Sequence, residues 1–136
     1  MDSFGDTPFP LKEEHNKLIA EAGCDLEKII AFRRDVHQNP ETGFKEFETS
    51  RKIKELLLSF GIEEENIKAC AGTGLVVDIV GTHESVPEGG ANAIALRADM
   101  DALPMPENTD VPYKSTLQVA HMCGHDGHTA TLVATA

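Results

Sequence analysis

The sequence predicts an α/β fold in which helices pack on a sheet. Two helical patterns come first, at roughly residues 25–38 and 46–60, and two apolar strand patterns follow at 75–80 and 93–98. Helices that precede such strands are typical of layered α/β domains. The 93–98 segment is nearly continuously apolar, which favours a strand covered on both faces.

The first of these helices should begin after Asp25, a residue type that accepts a hydrogen bond from a free N–H at a helix start. It should end near His37, because Pro40 disfavours helix at the residue before it. At that end we interpret His37 as a histidine that contacts the last carbonyl groups. One face of the helix carries Leu26, Ile29, Ile30 and Arg33.

The second helix has an apolar stripe at helical spacing, followed by Gly61 where a left-handed cap would lie. The stripe consists of Ile53, Leu56, Leu57 and Phe60. A weaker pattern from Leu11 predicts a further helix with Leu18 and Ile19 buried. Residues 1–10 are expected to order only by docking, and 82–92 to form an exposed loop.

Residues 121–128 form the densest group of reactive side chains, with three His, one Cys and one Asp. Cys123 and His125 lie two positions apart, so their side chains can point to the same side. A thiolate and a neutral imidazole suit zinc or a similar divalent ion. The alternative is a His-rich turn that caps a helix, and Asp126 is well placed as that cap.

Asp99 and Asp101 directly follow the second predicted strand. Ligands of open α/β sheets bind beyond the carboxyl ends of the strands, so these carboxylates can bind a metal or hold a ligand His through its second nitrogen. The alternative is a polar strand end before a turn at Pro104.

Composition restricts the class of protein. A formal net charge of -11 over 136 residues argues against nucleic acid or an anionic membrane as partner. No apolar run approaches the roughly 20 residues of a membrane span, and the acidic N-terminus lacks signal-peptide features. Three cysteines without a disulfide framework favour free thiols. We therefore expect a cytoplasmic protein.

Four motifs occur in order: VHQNPETGF at 36–44, ALRADMDALP at 95–104, PYKS at 112–115 and HMCGHDGHTA at 121–130. Together they resemble the amidohydrolase branch of the aminoacylase and carboxypeptidase metallopeptidases. That branch includes hippurate hydrolases, N-acyl-amino-acid amidohydrolases and plant indoleacetate–amino-acid hydrolases.

The resemblance implies the N-terminal part of a zinc-exopeptidase-like catalytic domain, with helices packed on a mixed sheet. It implies that a full-length subunit binds two divalent metal ions, which could be zinc, manganese or cobalt. Cys123 and His125 would be metal ligands, Asp99 a further candidate, and Asp101 the aspartate that orients a metal-bound His. Residues 1–24 would be a lead-in, and 25–136 the N-terminal part of the catalytic domain.

The implied activity is metal-assisted hydrolysis of the amide bond of small N-acyl amino acids, with a homodimer as the suggested full-length assembly. The family's catalytic Glu, its other ligands and an inserted domain would lie downstream. We therefore expect a fragment that is inactive alone. Two alternatives stay open: a metal-binding module without a catalytic base, and a thiol enzyme in which His125 or His121 activates Cys123.

Overall fold

The computed structural model describes residues 13–81 and 93–136, which form helices around a small hairpin. The predicted lead-in at 1–10 and the predicted loop at 82–92 lie outside the described residues. The helices are α1 (Glu13–Glu21), α2 (Leu26–Gln38), α3 (Phe47–Ser59) and α4 (His125–Ala134), and Glu64–Asn66 forms a single 3₁₀ turn. The hairpin pairs β1 (Ile67–Cys70) with β2 (Gly74–Val77) in antiparallel register, Ile67 opposite Val77.

The predicted bounds of α2 and α3 are confirmed, because both helices depend on local signals. The Asp25 carboxylate accepts a hydrogen bond from the Lys28 N–H at 3.1 Å. Gly61 follows α3 with a φ of +90°, the left-handed conformation that ends many helices. At the start of α3 the Glu41 carboxylate accepts from the Thr49 N–H at 2.8 Å, a cap supplied by the preceding turn.

The hydrophobic core lies where α2, α3, α4 and the hairpin meet. Its buried members are Ile29, Ile53, Leu56, Leu57, Ile67, Ala130 and Val133. Three residues of the predicted α3 stripe belong to it, whereas Phe60 remains 40% exposed at the end of the helix. The core therefore holds α4, and with it the predicted metal-binding segment, against the two earlier helices.

Several predicted elements are wrong in detail. Leu18 is 61% exposed, because α1 buries none of its residues against the rest of the described chain. The strand predicted at 75–80 ends at Val77, where β1 stops providing a partner. Residues 93–98 do not form a strand, and Ile94 in that segment is 85% exposed. An apolar run becomes a strand only beside another backbone, and no described segment pairs with 93–98.

The segment that follows is held from both sides by backbone pairing. The Ala102 N–H donates to the Glu41 carbonyl at 2.7 Å, in the turn after α2. Leu103 and Ala120 exchange two backbone hydrogen bonds of 3.0 and 2.9 Å. These contacts fix residues 102 and 103, just after Asp101, between the turn after α2 and the chain just before α4. No helix in the described parts of the chain is long and apolar enough to cross a membrane.

Candidate metal centre

The predicted metal-binding segment lies at the start of α4. Gly124 precedes the helix with a φ of +79°, a left-handed conformation that is unfavourable for residues with a Cβ. This turn places Cys123 on the loop, where it is exposed, and makes His125 the first helical residue. The two predicted ligands therefore lie on either side of a sharp bend in the backbone.

The imidazole of His125 contacts Asp101 through Nδ1. The distance is 2.9 Å to Asp101 Oδ1 and 3.0 Å to the Asp101 carbonyl oxygen. An ionised carboxylate and a carbonyl only accept hydrogen bonds, so Nδ1 carries the hydrogen and donates it. In the neutral ring the lone pair then resides on Nε2, the arrangement that metal-binding histidines use.

Asp99 faces the free nitrogen of this ring. Its Oδ2 atom lies 3.9 Å from His125 Nε2, too far for a hydrogen bond. Two ligands that share one ion at zinc-like bond lengths lie about 3 to 4 Å apart. Asp99 also forms an ion pair with Arg97, and its carbonyl accepts a hydrogen bond from the Thr129 hydroxyl at 2.9 Å. The backbone of Asp99 is thereby tied to α4.

The structure therefore brings Asp99, Asp101 and His125 together at one end of α4. The His128 ring stacks on the His125 ring, with centroids 5.6 Å apart. Within 13–81 and 93–136, no three His, Cys, Asp or Glu side chains converge closely enough to hold a metal ion. The donor types nevertheless fit a divalent transition metal: an imidazole with a fixed tautomer, a thiol and a carboxylate.

Asp126 does not cap α4, contrary to the sequence-based expectation. It lies inside the first helical turn and is fully buried. Its Oδ2 atom accepts hydrogen bonds from Arg33 Nε and from His37 Nδ1, both at 2.9 Å. The left-handed turn at Gly124 begins the helix instead, which leaves the Asp126 carboxylate free to bind α2.

His37 joins two buried carboxylates, so the interpretation that it contacts helix-end carbonyls is wrong. Its Nδ1 donates to Asp126, and its Nε2 lies 3.0 Å from Glu107 Oε1. The second Glu107 oxygen accepts the Ser115 N–H at 2.7 Å, and the Thr109 hydroxyl also donates to this carboxylate. Both ring nitrogens of His37 therefore lie within hydrogen-bond distance of a buried carboxylate.

Both carboxylates of this network are held in their charged form. Burial by itself would raise the pKa of Asp126, but the His37 hydrogen bond and the Arg33 charge together lower it. Burial likewise opposes ionisation of Glu107, yet the hydrogen bonds from Thr109, His37 and Ser115 lower its pKa below the ordinary value. The network is therefore an ionic cluster inside the fold.

His121 is the one predicted site histidine that the structure buries almost completely. It is 4% exposed, and its ring stacks against His37 with centroids 6.3 Å apart. Burial lowers the pKa of His121 below the ordinary value, because the charged imidazolium loses its hydration. The described residues offer no hydrogen-bond partner to either of its ring nitrogens.

This buried network was not predicted from the sequence. Arg33 and His37 precede Asp126 by about ninety residues, so no local spacing connects them. One signal was present: Arg33 lies on the apolar face of α2, where a charged group requires a buried partner. A second signal was Asp126 itself, which shares a helix face with Ala130 and Val133.

Comparison with known proteins agrees with the geometry of the site. The model of peptidase family M20/M25/M40 matches residues 95–136, which contain both aspartates and the 121–128 segment. The chain is 44% identical over 135 residues to N-acetyl-L-cysteine deacetylase of Bacillus subtilis, covering 97% of this chain and 30% of that protein. It is 45% identical over 106 residues to thermostable carboxypeptidase 2 of Saccharolobus solfataricus, covering 77% of this chain and 25% of that protein.

A solved structure extends the likeness to the fold. A dinuclear metal-binding peptidase of Bacillus subtilis superposes with a TM-score of 0.68 at 38% identity, covering 79% of this chain and 28% of that one. The chain thus spans between a quarter and a third of the length of these relatives. The predicted α/β fold class and the resemblance to aminoacylase-type metallopeptidases are confirmed. In residues 95–136 the chain is similar to peptidase family M20/M25/M40.

Proposed function

We propose that this chain provides part of the metal centre of an amidohydrolase that cleaves the amide bond of N-acyl amino acids. The observation that carries the proposal is the contact between His125 and Asp101, which prepares the imidazole to bind a metal through Nε2. The similarity to an N-acetyl-L-cysteine deacetylase supports a small N-acyl amino acid as substrate.

In this proposal Cys123 and His125 hold a divalent ion, Asp99 is a further ligand, and Asp101 orients His125. Zinc, manganese and cobalt are the candidate metals, with two ions in a full-length subunit, because one solved relative is a dinuclear metal-binding peptidase. Residues 1–24 serve as a lead-in and 25–136 as the N-terminal part of the catalytic domain. The bound metal would supply Lewis-acid activation of the amide carbonyl and of the attacking water.

The residues of this chain would bind and orient rather than transfer protons. A glutamate is required as general base, to move a proton from water to the leaving amine. Glu107 is unsuited to that role, because both its carboxylate oxygens accept hydrogen bonds within the buried network. We therefore expect no metal-dependent hydrolysis of N-acetyl-L-cysteine by residues 1–136. The assay measures the release of L-cysteine with a free amino group.

A thiol enzyme is the second candidate, because an Asp-oriented His two residues from a Cys in the sequence can also be the base that activates a nucleophile. The two hypotheses differ in the group that His125 Nε2 should face: a metal ion with its other ligands, or the Cys123 thiol. The structure places the Asp99 carboxylate opposite that nitrogen at 3.9 Å, which favours a shared cation. If alkylation of Cys123 in metal-free protein removed an amidase activity, the thiol enzyme would be the better account.

The metal proposal is tested by titrating the purified chain with Co²⁺ and recording thiolate-to-cobalt absorption. We expect a band that disappears in Cys123→Ser and weakens in His125→Gln. Matched controls are Cys70→Ser and His15→Gln, two exposed residues away from the site, which should leave the band unchanged. A band that survives Cys123→Ser, or that is lost in Cys70→Ser, would contradict the assignment.

A further inference from the structure

We infer that Asp126 is a positioning residue for the metal ligands. Anchored by Arg33 and His37, it holds the first turn of α4, and with it His125 and Cys123, against α2. This inference rests on the proposed function, because it concerns the placement of the proposed ligands. It assigns a role to a buried ionic network that the hydrolytic chemistry itself does not use.

The geometry of Asp126 suits an anchor rather than a ligand. The residue is 0% exposed, and its Oδ2 atom lies 2.9 Å from both Arg33 Nε and His37 Nδ1 of α2. Asp126 directly follows His125, so its side chain leaves the helix on the face that packs against α2. A buried carboxylate with two hydrogen-bond partners on another helix has few alternative positions, because each displacement would break one of these bonds.

The anchored turn is the part of α4 that determines where the ligands lie. The N–H groups of Gly127 and His128 both donate to the Gly124 carbonyl, at 3.0 and 3.1 Å. This carbonyl belongs to the residue between Cys123 and His125. A shift of Asp126 relative to α2 would therefore change the bend that separates the two ligands.

The other end of the anchor is itself fixed. His37 binds Asp126 through one nitrogen and Glu107 through the other. Glu107 is held by the Ser115 N–H at 2.7 Å, so the loop between residues 107 and 115 supports the network from the opposite side. The first turn of α4 is thereby connected through charged hydrogen bonds to two other parts of the fold, and such bonds are stronger than neutral ones.

Arg33→Met is the variant that tests the inference, because it removes one anchor from a position far from the ligands in sequence. Its matched control is Arg34→Met. Both arginines lie over the Tyr113 ring, at 5.9 and 5.0 Å from its centroid, but the ion pair with Asp126 is formed by Arg33. Both variants lose one positive charge, so any general electrostatic effect on cation binding is shared between them.

Two quantities are compared: the Co²⁺ affinity, from the thiolate-to-cobalt band, and the amide hydrogen exchange of Gly127 and His128 in the metal-free chain. In Arg33→Met we expect a roughly fivefold weaker Co²⁺ affinity than in Arg34→Met, less than the loss seen for direct partners of ligands. The exchange of both amides should become roughly tenfold faster. Arg33→Lys, which keeps the charge, should recover part of each effect.

The outcomes separate the two proposals. An unchanged exchange rate in Arg33→Met overturns the positioning inference, whatever the metal result. Faster exchange with a Co²⁺ affinity equal to that of Arg34→Met also overturns it, because the ligands would then not depend on the turn. If the wild-type chain gives no thiolate-to-cobalt band, the proposed metal site is wrong, while the exchange rates still decide whether Arg33 anchors the first turn of α4.

Discussion

His125 donates a hydrogen bond from Nδ1 to Asp101 Oδ1 across 2.9 Å, joining the start of α4 to the segment that follows residues 93–98. The segment carrying Asp101 is fixed by backbone pairing on both sides, and the helix carrying His125 is fixed by the core. The contact therefore joins two rigid parts of the fold. It determines which nitrogen of His125 is available to a metal ion.

Removing the Asp101 carboxylate should weaken metal binding without unfolding the chain. In Asp101→Ala, His125 keeps only the carbonyl contact at 3.0 Å, so its ring and tautomer are less restricted. We expect a roughly tenfold loss of Co²⁺ affinity, the lower end of the range for partners of metal-bound histidines. The measurement is a cobalt titration. Asp110→Ala, at an exposed position, is the control, and equal affinities in the two variants would refute the role of Asp101.

Glu107 should contribute to stability in a pH-dependent way. Its pKa is lowered in the folded chain, so its contribution is fully present above the ordinary carboxyl pKa. That contribution is lost as the pH falls through the lowered folded value. We expect Glu107→Gln to show a flatter decline of unfolding free energy with acidification below about pH 5, a window that follows from the ordinary Glu value. Urea unfolding at several pH values measures this, and parallel curves for variant and wild type would contradict it.

Asp126→Ala should be among the most destabilising single substitutions of a polar residue. It leaves the buried His37 and the partly exposed Arg33 without this carboxylate, and removing one partner of a buried pair costs about 3 kcal/mol. The matched control is Asp78→Ala, which breaks the exposed ion pair with Lys68 and should cost less than about 1 kcal/mol. Urea unfolding gives both values, and similar losses in the two variants would show that the buried network is not stabilising.

Phe44 is a strained position where glycine should be preferred. Its φ is +61°, and its side chain is 79% exposed, so the backbone cost is not offset by packing within the described chain. We expect Phe44→Gly to be more stable than Phe44→Ala by roughly 1 kcal/mol, the cost of a left-handed conformation for a residue with a Cβ. At Phe47, the first residue of α3, the stability order should be reversed, with Phe47→Ala more stable than Phe47→Gly. Thermal unfolding of the four variants is the measurement, and the same order at both positions would contradict the explanation.

The helices could be predicted from sequence because their signals are local. Asp25 and Gly61 each act within a few residues of the helix end that they define. The motif residues could also be predicted, since Asp99, Asp101, Cys123 and His125 belong to short segments of unusual composition. That these residues lie close together was predicted from the resemblance and from the rule on strand ends. The structure does bring Asp99 and Asp101 to His125.

The remaining features depend on contacts between distant segments. The short strand β1 has no alternating pattern of its own and exists through pairing with β2. Residues 93–98 have the composition of a strand, but lack a described backbone neighbour. The Arg33–Asp126–His37 cluster joins residues about ninety positions apart, which no local spacing rule can detect. The available signals were two charged residues, Arg33 and Asp126, on helix faces that also carry apolar residues.

The most direct test of the central claim is the X-ray absorption spectrum of the Zn²⁺-loaded chain in a Cys24→Ser, Cys70→Ser background. In that background Cys123 is the one remaining cysteine of the sequence, so any cysteine sulfur bound to Zn²⁺ must belong to it. We predict one sulfur ligand at about 2.3 Å together with an imidazole nitrogen at about 2.0 Å. If only oxygen and nitrogen atoms coordinate the Zn²⁺ ion, Cys123 is not a ligand, and that result would contradict the proposed metal centre.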